Sequence, residues 1–183
     1  MLKKMRGFTL IELLIVVAII GILAALLIPN AISAIQKAKQ KGTMKDINSL
    51  ATAITDYITD KGVAPLSNNG AMTETSDELS GVLVPFYLKA IPYQDQWGSP
   101  FYVYTGSDTN SLWLSDVDDS EVGLDDFAVG SYGRDGSAGG QDFTYDPATA
   151  SQGFFEITGM ESFKNDLVNW NGNWVSAPRT KNQ

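Results

Sequence analysis

Apolar and polar positions divide the chain near residue 30. Residues 13–28 are an unbroken, charge-free run of Leu, Ile, Val, Ala and Gly. Phe8, Leu10 and Ile11 lengthen the apolar stretch to about 20 residues, enough for a helix to cross a hydrocarbon core of roughly 30 Å. After Pro29 the pattern becomes one-sided: Ile32, Ile35, Ala38, Ile47, Leu50, Ala51, Ile54, Tyr57 and Ile58 recur at the spacing of an amphipathic helix. Gly62 and Pro65 supply stop signals. The pattern predicts one helix from Phe8 to about residue 60, roughly 80 Å long at about 1.5 Å per residue. Gly21 and Pro29 are its expected bend, because proline removes a backbone donor and crowds the preceding turn. No heptad persists along it, which argues against a coiled coil.

Beyond the helix the pattern breaks into short pieces. Residues 63–81 are rich in Ser, Asn, Gly and Thr and read as a surface loop. Strands are expected at 101–104, 112–114 and 127–129, with weaker ones at 154–157 and 174–175, each bounded by turn residues. The fold class is therefore α+β. The apolar first half of a long N-terminal helix projects, and its amphipathic second half packs on a small antiparallel sheet. Trp97, Trp113, Trp170 and Trp174 are read as core and subunit-contact residues rather than a sugar-binding platform.

Glu12 interrupts this pattern. A carboxylate at the start of an apolar run costs several kcal/mol unless it stays at the interface or finds a partner. A secretory signal peptide, with Ala24-Ala25 as its cleavage site, is contradicted by the apolar run continuing to Ile28. A simple membrane anchor fits the length, and a buried core helix does not suit a stretch apolar on every face. None of these accounts for Glu12, whereas a free amine nearby would. Cleavage after Gly7 would create one at Phe8, about one turn away within a helix or directly opposed between staggered helices.

The segment Gly7-Phe8-Thr9-Leu10-Ile11-Glu12, behind Lys3, Lys4 and Arg6 and ahead of the apolar helix and Pro29, resembles the class III signal sequence of type IV prepilins and pseudopilins. The resemblance implies a leader at 1–7, a transmembrane and filament-core helix at 8–29, an amphipathic helix at 30–60 and a globular region at 61–183. It implies cleavage between Gly7 and Phe8 by a prepilin peptidase, N-methylation of Phe8, and assembly through Glu12 and the Phe8 amine of a neighbouring copy. Within that family, Ile91-Pro92-Tyr93-Gln94-Asp95-Gln96-Trp97-Gly98-Ser99-Pro100-Phe101-Tyr102 and the glycine-rich Gly130-Ser131-Tyr132-Gly133-Arg134-Asp135-Gly136-Ser137-Ala138-Gly139-Gly140 resemble the major pseudopilin of type II secretion. A surface pilin used in adhesion, motility or DNA uptake is the alternative. The implied partners are further copies of the chain, minor pseudopilins or pilins, an inner-membrane assembly platform, and the membrane before assembly. The implied location is the bacterial inner membrane, with the C-terminal region outside the cytoplasm, and then a periplasmic pseudopilus. The basic residues directly before the span agree with a cytoplasmic leader, although Lys37, Lys39, Lys41 and Lys45 follow it.

Composition narrows the chemistry. The chain has no cysteine and no histidine, which removes disulfides, thiol nucleophiles, Cys/His zinc sites and the usual neutral-pH proton shuttle. Its formal net charge is −8, and loss of the three basic residues before Gly7 takes it to −11, a surface that repels nucleic acid. No catalytic constellation is evident, so the chain is read as a structural protein rather than an enzyme. Six carboxylates lie between 116 and 126, with Asp135, Asp142 and Asp146 beyond. An EF-hand loop fails there, since the required Gly and Glu positions hold Glu121 and Phe127. A solvated acidic loop is one reading. The family resemblance implies a calcium site, and Asp126, Asp135, Asp142 and Asp166 are the expected ligands.

Overall fold

The computed structural model describes residues 7–67, 69–73, 78–137 and 143–179. Two compact units make up the chain, Met1–Gln36 and Lys37–Gln183. Helix α1, Leu10–Lys61, runs without interruption through Gly21 and Pro29. Beside Pro29, the Asn30 side-chain amide donates to the Leu26 carbonyl at 3.3 Å. The helix ends where Gly62, at φ 75°, donates its N–H to the Ile58 carbonyl at 2.7 Å. Glycine adopts that left-handed turn at little steric cost, which makes Gly62 the physical stop.

In the first unit no described residue is buried. Ile32 and Ile35, expected to begin the inward face, are exposed, and burial along α1 starts only at Gln40. From there Thr43, Ile47, Leu50, Ala51, Ala53 and Ile54 face inward, at the spacing of one helical stripe.

The sheet of the second unit has six strands: β1 Gly70–Ala71, β2 Tyr102–Thr105, β3 Phe127–Ser131, β4 Phe154–Phe155, β5 Leu167–Trp170 and β6 Asn173–Pro178. Their spatial order is β1-β2-β3-β5-β6-β4. Every neighbouring pair is antiparallel except β4 with β6, which is parallel, so the sheet is mixed. β3 and β6 hold both edges of β5, and β4 pairs along the outer edge of β6. β1 and the first turn of helix α2, Glu78–Leu83, fall in the stretch expected as a plain loop.

Two layers cover the sheet. On one side Ile47, Leu50 and Ile54 of α1 and Leu79 and Leu83 of α2 pack on Phe101, Val103, Phe127, Val129 and Leu167. On the other lies an aromatic layer built around Trp113, Tyr132, Val168 and Val175. β3 is buried along its whole length because both faces are covered.

Residues 112–114, expected as a strand, form a 3-10 turn instead. Packing decides this. The Trp113 ring lies against β3 where Gly130 has no side chain; a Cβ there would meet the ring at 2.6 Å. The Trp113 indole N–H donates to buried Asp166 Oδ2 at 2.7 Å. A strand would point alternate side chains to opposite faces and could not lay the indole flat over its neighbour.

Candidate functional site

At the N-terminus, Thr9 caps α1. The Thr9 backbone N–H donates to Glu12 Oε2 at 2.9 Å, and the Thr9 hydroxyl donates to the same oxygen at 2.6 Å. The Glu12 N–H returns a bond to Thr9 Oγ1 at 3.3 Å. This is a capping box, in which a residue and another three further on satisfy each other's free donors at a helix start. It holds the Glu12 carboxylate beside the backbone of Thr9, the residue directly after Phe8. The Thr-x-x-Glu spacing was present in the sequence, but Thr9 carried no assigned role there. Phe8 is 75% exposed, and the apolar side chains from Leu10 to Ile28 are open with it. Within α1 this stretch is long and apolar enough to cross a membrane.

A second constellation joins the 91–100 segment to the end of β3. Asp95, 6% exposed, accepts from the backbone N–H of Trp97 at 2.9 Å and of Ser99 at 3.0 Å through one oxygen. Its other oxygen accepts from the Ser131 hydroxyl at 2.7 Å. Ser131 Oγ in turn accepts from the N–H of Gly133 at 3.0 Å, which carries the network into the glycine-rich loop. The same segment is tied to α1, where the Gln96 N–H reaches Thr43 Oγ1 at 3.2 Å and its side-chain amide reaches Asp46 at 2.8 Å. Asp95 was visible in the sequence only as one letter of a motif. Its burial and its three donors come from the fold.

The expected calcium ligands separate in space. Asp126 precedes β3 and accepts from Gly123 N–H at 2.6 Å and from the Asn171 side-chain amide, at the hairpin end of the sheet. Asp166 precedes β5, at the opposite end of the β3–β5 ladder, where Ser131 pairs with Leu167. Four to five strand residues set these two apart by roughly 15 Å. Asp135 is exposed on the 3-10 turn Gly133–Asp135. That turn meets the chain leading to Asp166: a Cβ on Gly133, whose φ is 74°, would lie 2.8 Å from the carbonyl oxygens of Phe163 and Asn165. Asp142 lies outside the described residues. Among the described residues no three acidic side chains gather around one point. The fold thus brings the loop of Asp135 to Asp166 and keeps Asp126 away from both.

Comparison with known proteins bears on both constellations. The prokaryotic N-terminal methylation motif matches residues 2–28. The type II secretion system core protein G of Vibrio cholerae serotype O1 is 31% identical over 145 residues, covering 75% of this chain and 90% of that protein. The protein of the same name from Pseudomonas aeruginosa is 33% identical over 146 residues, covering 76% and 91%. That of Escherichia coli K12 is 31% identical over 132 residues, covering 67% and 88%. No solved structure gives a significant match.

Proposed function

Because the chain belongs to the type II secretion system core protein G family, the major pseudopilins, we propose that it polymerises into a helical pseudopilus after removal of residues 1–7 and methylation of Phe8. One observation carries the mechanism: an apolar helix with no buried residue before Gln40 begins at a carboxylate held within one residue of the cleavage point. An exposed apolar cylinder of this length is untenable in water and needs lipid or other copies of itself. Before assembly the helix spans the inner membrane, with the leader in the cytoplasm and the second unit in the periplasm. Cutting after Gly7 frees the Phe8 amine, and a cation at that level offsets the cost of Glu12 in an apolar setting. In the filament the amine of one copy serves the Glu12 of the next, which selects an axial register as the helices stack. A prepilin peptidase, minor pseudopilins and an inner-membrane platform are the partners this route requires. The relatives are named as secretion components, which leaves a surface-pilus role without comparable support.

The test is Glu12→Ala in the full chain. The variant is expected to insert in the membrane and to be cleaved normally, while filament yield falls at least tenfold, since only the charge partner is lost. A normal filament yield would overturn the pairing.

For the glycine-rich loop we propose a calcium ion held by Asp135, Asp142 and Asp166. The support is the donor type: carboxylates together with carbonyl oxygens crowding Gly133, the oxygen set a hard cation prefers. Bound calcium would cross-link the turn at Gly133–Asp135 to the chain leading to Asp166. The fragment 37–183 should then melt several degrees higher in millimolar calcium than in chelator, as ligand binding to the folded state alone requires. Equal midpoints would remove calcium from the loop.

A further inference from the structure

A shallow open groove of about 570 Å³ runs along α1 in the second unit, bordered by Lys41, Met44, Lys45, Asn48, Thr52 and Tyr87. Its lining mixes Met44, Ala53 and Tyr87 with Asn48, Ser49 and Thr52; Lys41 and Lys45 stand one helical turn apart toward one end, and Tyr87 donates its hydroxyl to Asp60 at 2.9 Å. Residues 37–45 contain four lysines and no acidic residue. Among the described residues the one ion pair is Lys164 with Glu161, so the groove lysines face solvent without a carboxylate partner. Beside the groove Phe86, 82% exposed, sits with its ring 4.9 Å from that of Tyr87.

Elsewhere in the same unit is a feature of opposite character. Residues 116–126 carry six carboxylates and no basic residue. Within them Leu124 is 68% exposed, and exposed Glu121 and Asp125 flank it. This apolar tip is held in place. Gly123 N–H donates to Asp126 Oδ2 at 2.6 Å, Asp126 N–H donates to the Gly123 carbonyl at 3.3 Å, and the Leu124 carbonyl accepts from Ala64 N–H at 2.9 Å. An exposed leucine held in an acidic, lysine-free loop complements in sign the lysine-bearing end of the groove, whose apolar lining is Met44, Ala53 and Tyr87.

We propose that Leu124 of one copy seats in the α1 groove of the next copy, with Glu121 and Asp125 facing Lys41 and Lys45. The proposal rests on the polymer reading above and adds a contact between the globular units to the one made by the N-terminal helices. A chain carrying two different complementary patches makes a heterologous contact, and such contacts propagate into open helical filaments when the rotation does not close. Complementary charge sets the register and speeds encounter, while the buried leucine limits dissociation. A second copy is the occupant because one chain presents both halves, an acidic tip and a lysine-bearing groove, at equal stoichiometry.

The chain has no cysteine, so introduced pairs report without background. Full-length Asn48→Cys/Leu124→Cys, assembled into filaments and oxidised, is expected to give a ladder of covalent oligomers. Either single variant should run as monomer. In a second arm, K41E/K45E and E121K/D125K should each lower filament yield about tenfold, and all four changes together should restore it, as charge complementarity demands. Glu12→Ala serves as the control for the parent reading. If wild-type filaments form and Glu12→Ala abolishes them, yet no ladder appears and the reversals are silent, the groove contact is overturned while the polymer stands. A cross-link confined within one chain, or to a different protein, overturns it equally. If the wild-type chain forms no filament, the polymer reading falls and the docking contact falls with it.

Discussion

Asp95 shows how much a single carboxylate can hold in this chain. It is buried and forms no ion pair among the described residues; three donors serve it instead. Burying an unpaired carboxylate is expensive, and hydrogen bonds to its charged form are what make it tolerable. Asp95→Ala would strand the Trp97 and Ser99 amides and the Ser131 hydroxyl together. With hydrogen bonds to charged groups worth about 1.5–3 kcal/mol each and some water entering the gap, a net loss of about 3 kcal/mol is expected. For a domain of this size that lowers the melting midpoint by roughly 10 °C, measurable by circular dichroism on the fragment 37–183. Asp95→Asn keeps one carbonyl oxygen for the two amides and should cost about half as much. A midpoint shift below about 2 °C for Asp95→Ala would mean the network carries no stability. Thr9 and Glu12 differ in kind, because their capping box is exposed and local and its spacing could be read directly from four letters of sequence.

The elements of this fold were legible where local chemistry decides them. Helix α1 was readable to within two residues at its start and one at its end, because a capping threonine, a long apolar run and Gly62 are all local signals. β2 and β3 were readable from their aromatic and β-branched residues. The losses came where tertiary packing decides. Leu112-Trp113-Leu114 has strand composition, yet the empty space over Gly130 draws Trp113 into a 3-10 turn. β5 was not among the expected strands. The missed signal was Asn171-Gly172, whose φ values of 50° and 82° make the tight turn that joins β5 to β6. Ile32 and Ile35 continue the helical spacing of Ile47 and Leu50, but periodicity cannot say where a helix stops having a sheet beneath it. The inward face instead begins with Gln40 and Thr43, polar residues that no hydrophobic pattern would select. Of the expected calcium ligands, the sequence grouped Asp126 with Asp166 because their separation depends on strand register, which lies beyond local reading.

At the scale of the molecule, burial among the described residues is confined to one of the two units, and this has a consequence for stability. Among the described residues every buried side chain lies at Gln40 or later, so residues 7–36 add nothing to the core. On that ground the fold of Lys37–Gln183 should be independent of them. A fragment beginning at Lys37 would fray over its first turn, since the leading N–H groups of a new helix start lack partners. It would still keep Thr43 under Gln96, Asp46 beside it, and Ile47 in the core. The expected result is a monomer in plain buffer with one cooperative melting transition, whereas the full chain needs detergent to stay dispersed. A fragment beginning at residue 49 is the informative comparison. It loses Ile47 and both anchors of the 91–100 segment on α1, so it should melt well below the longer fragment or fail to fold. If the fragment from Lys37 aggregated or melted without cooperativity, the first unit would be part of the fold after all. If instead the two fragments melted alike, the start of the inward face would lie further along α1 than Gln40.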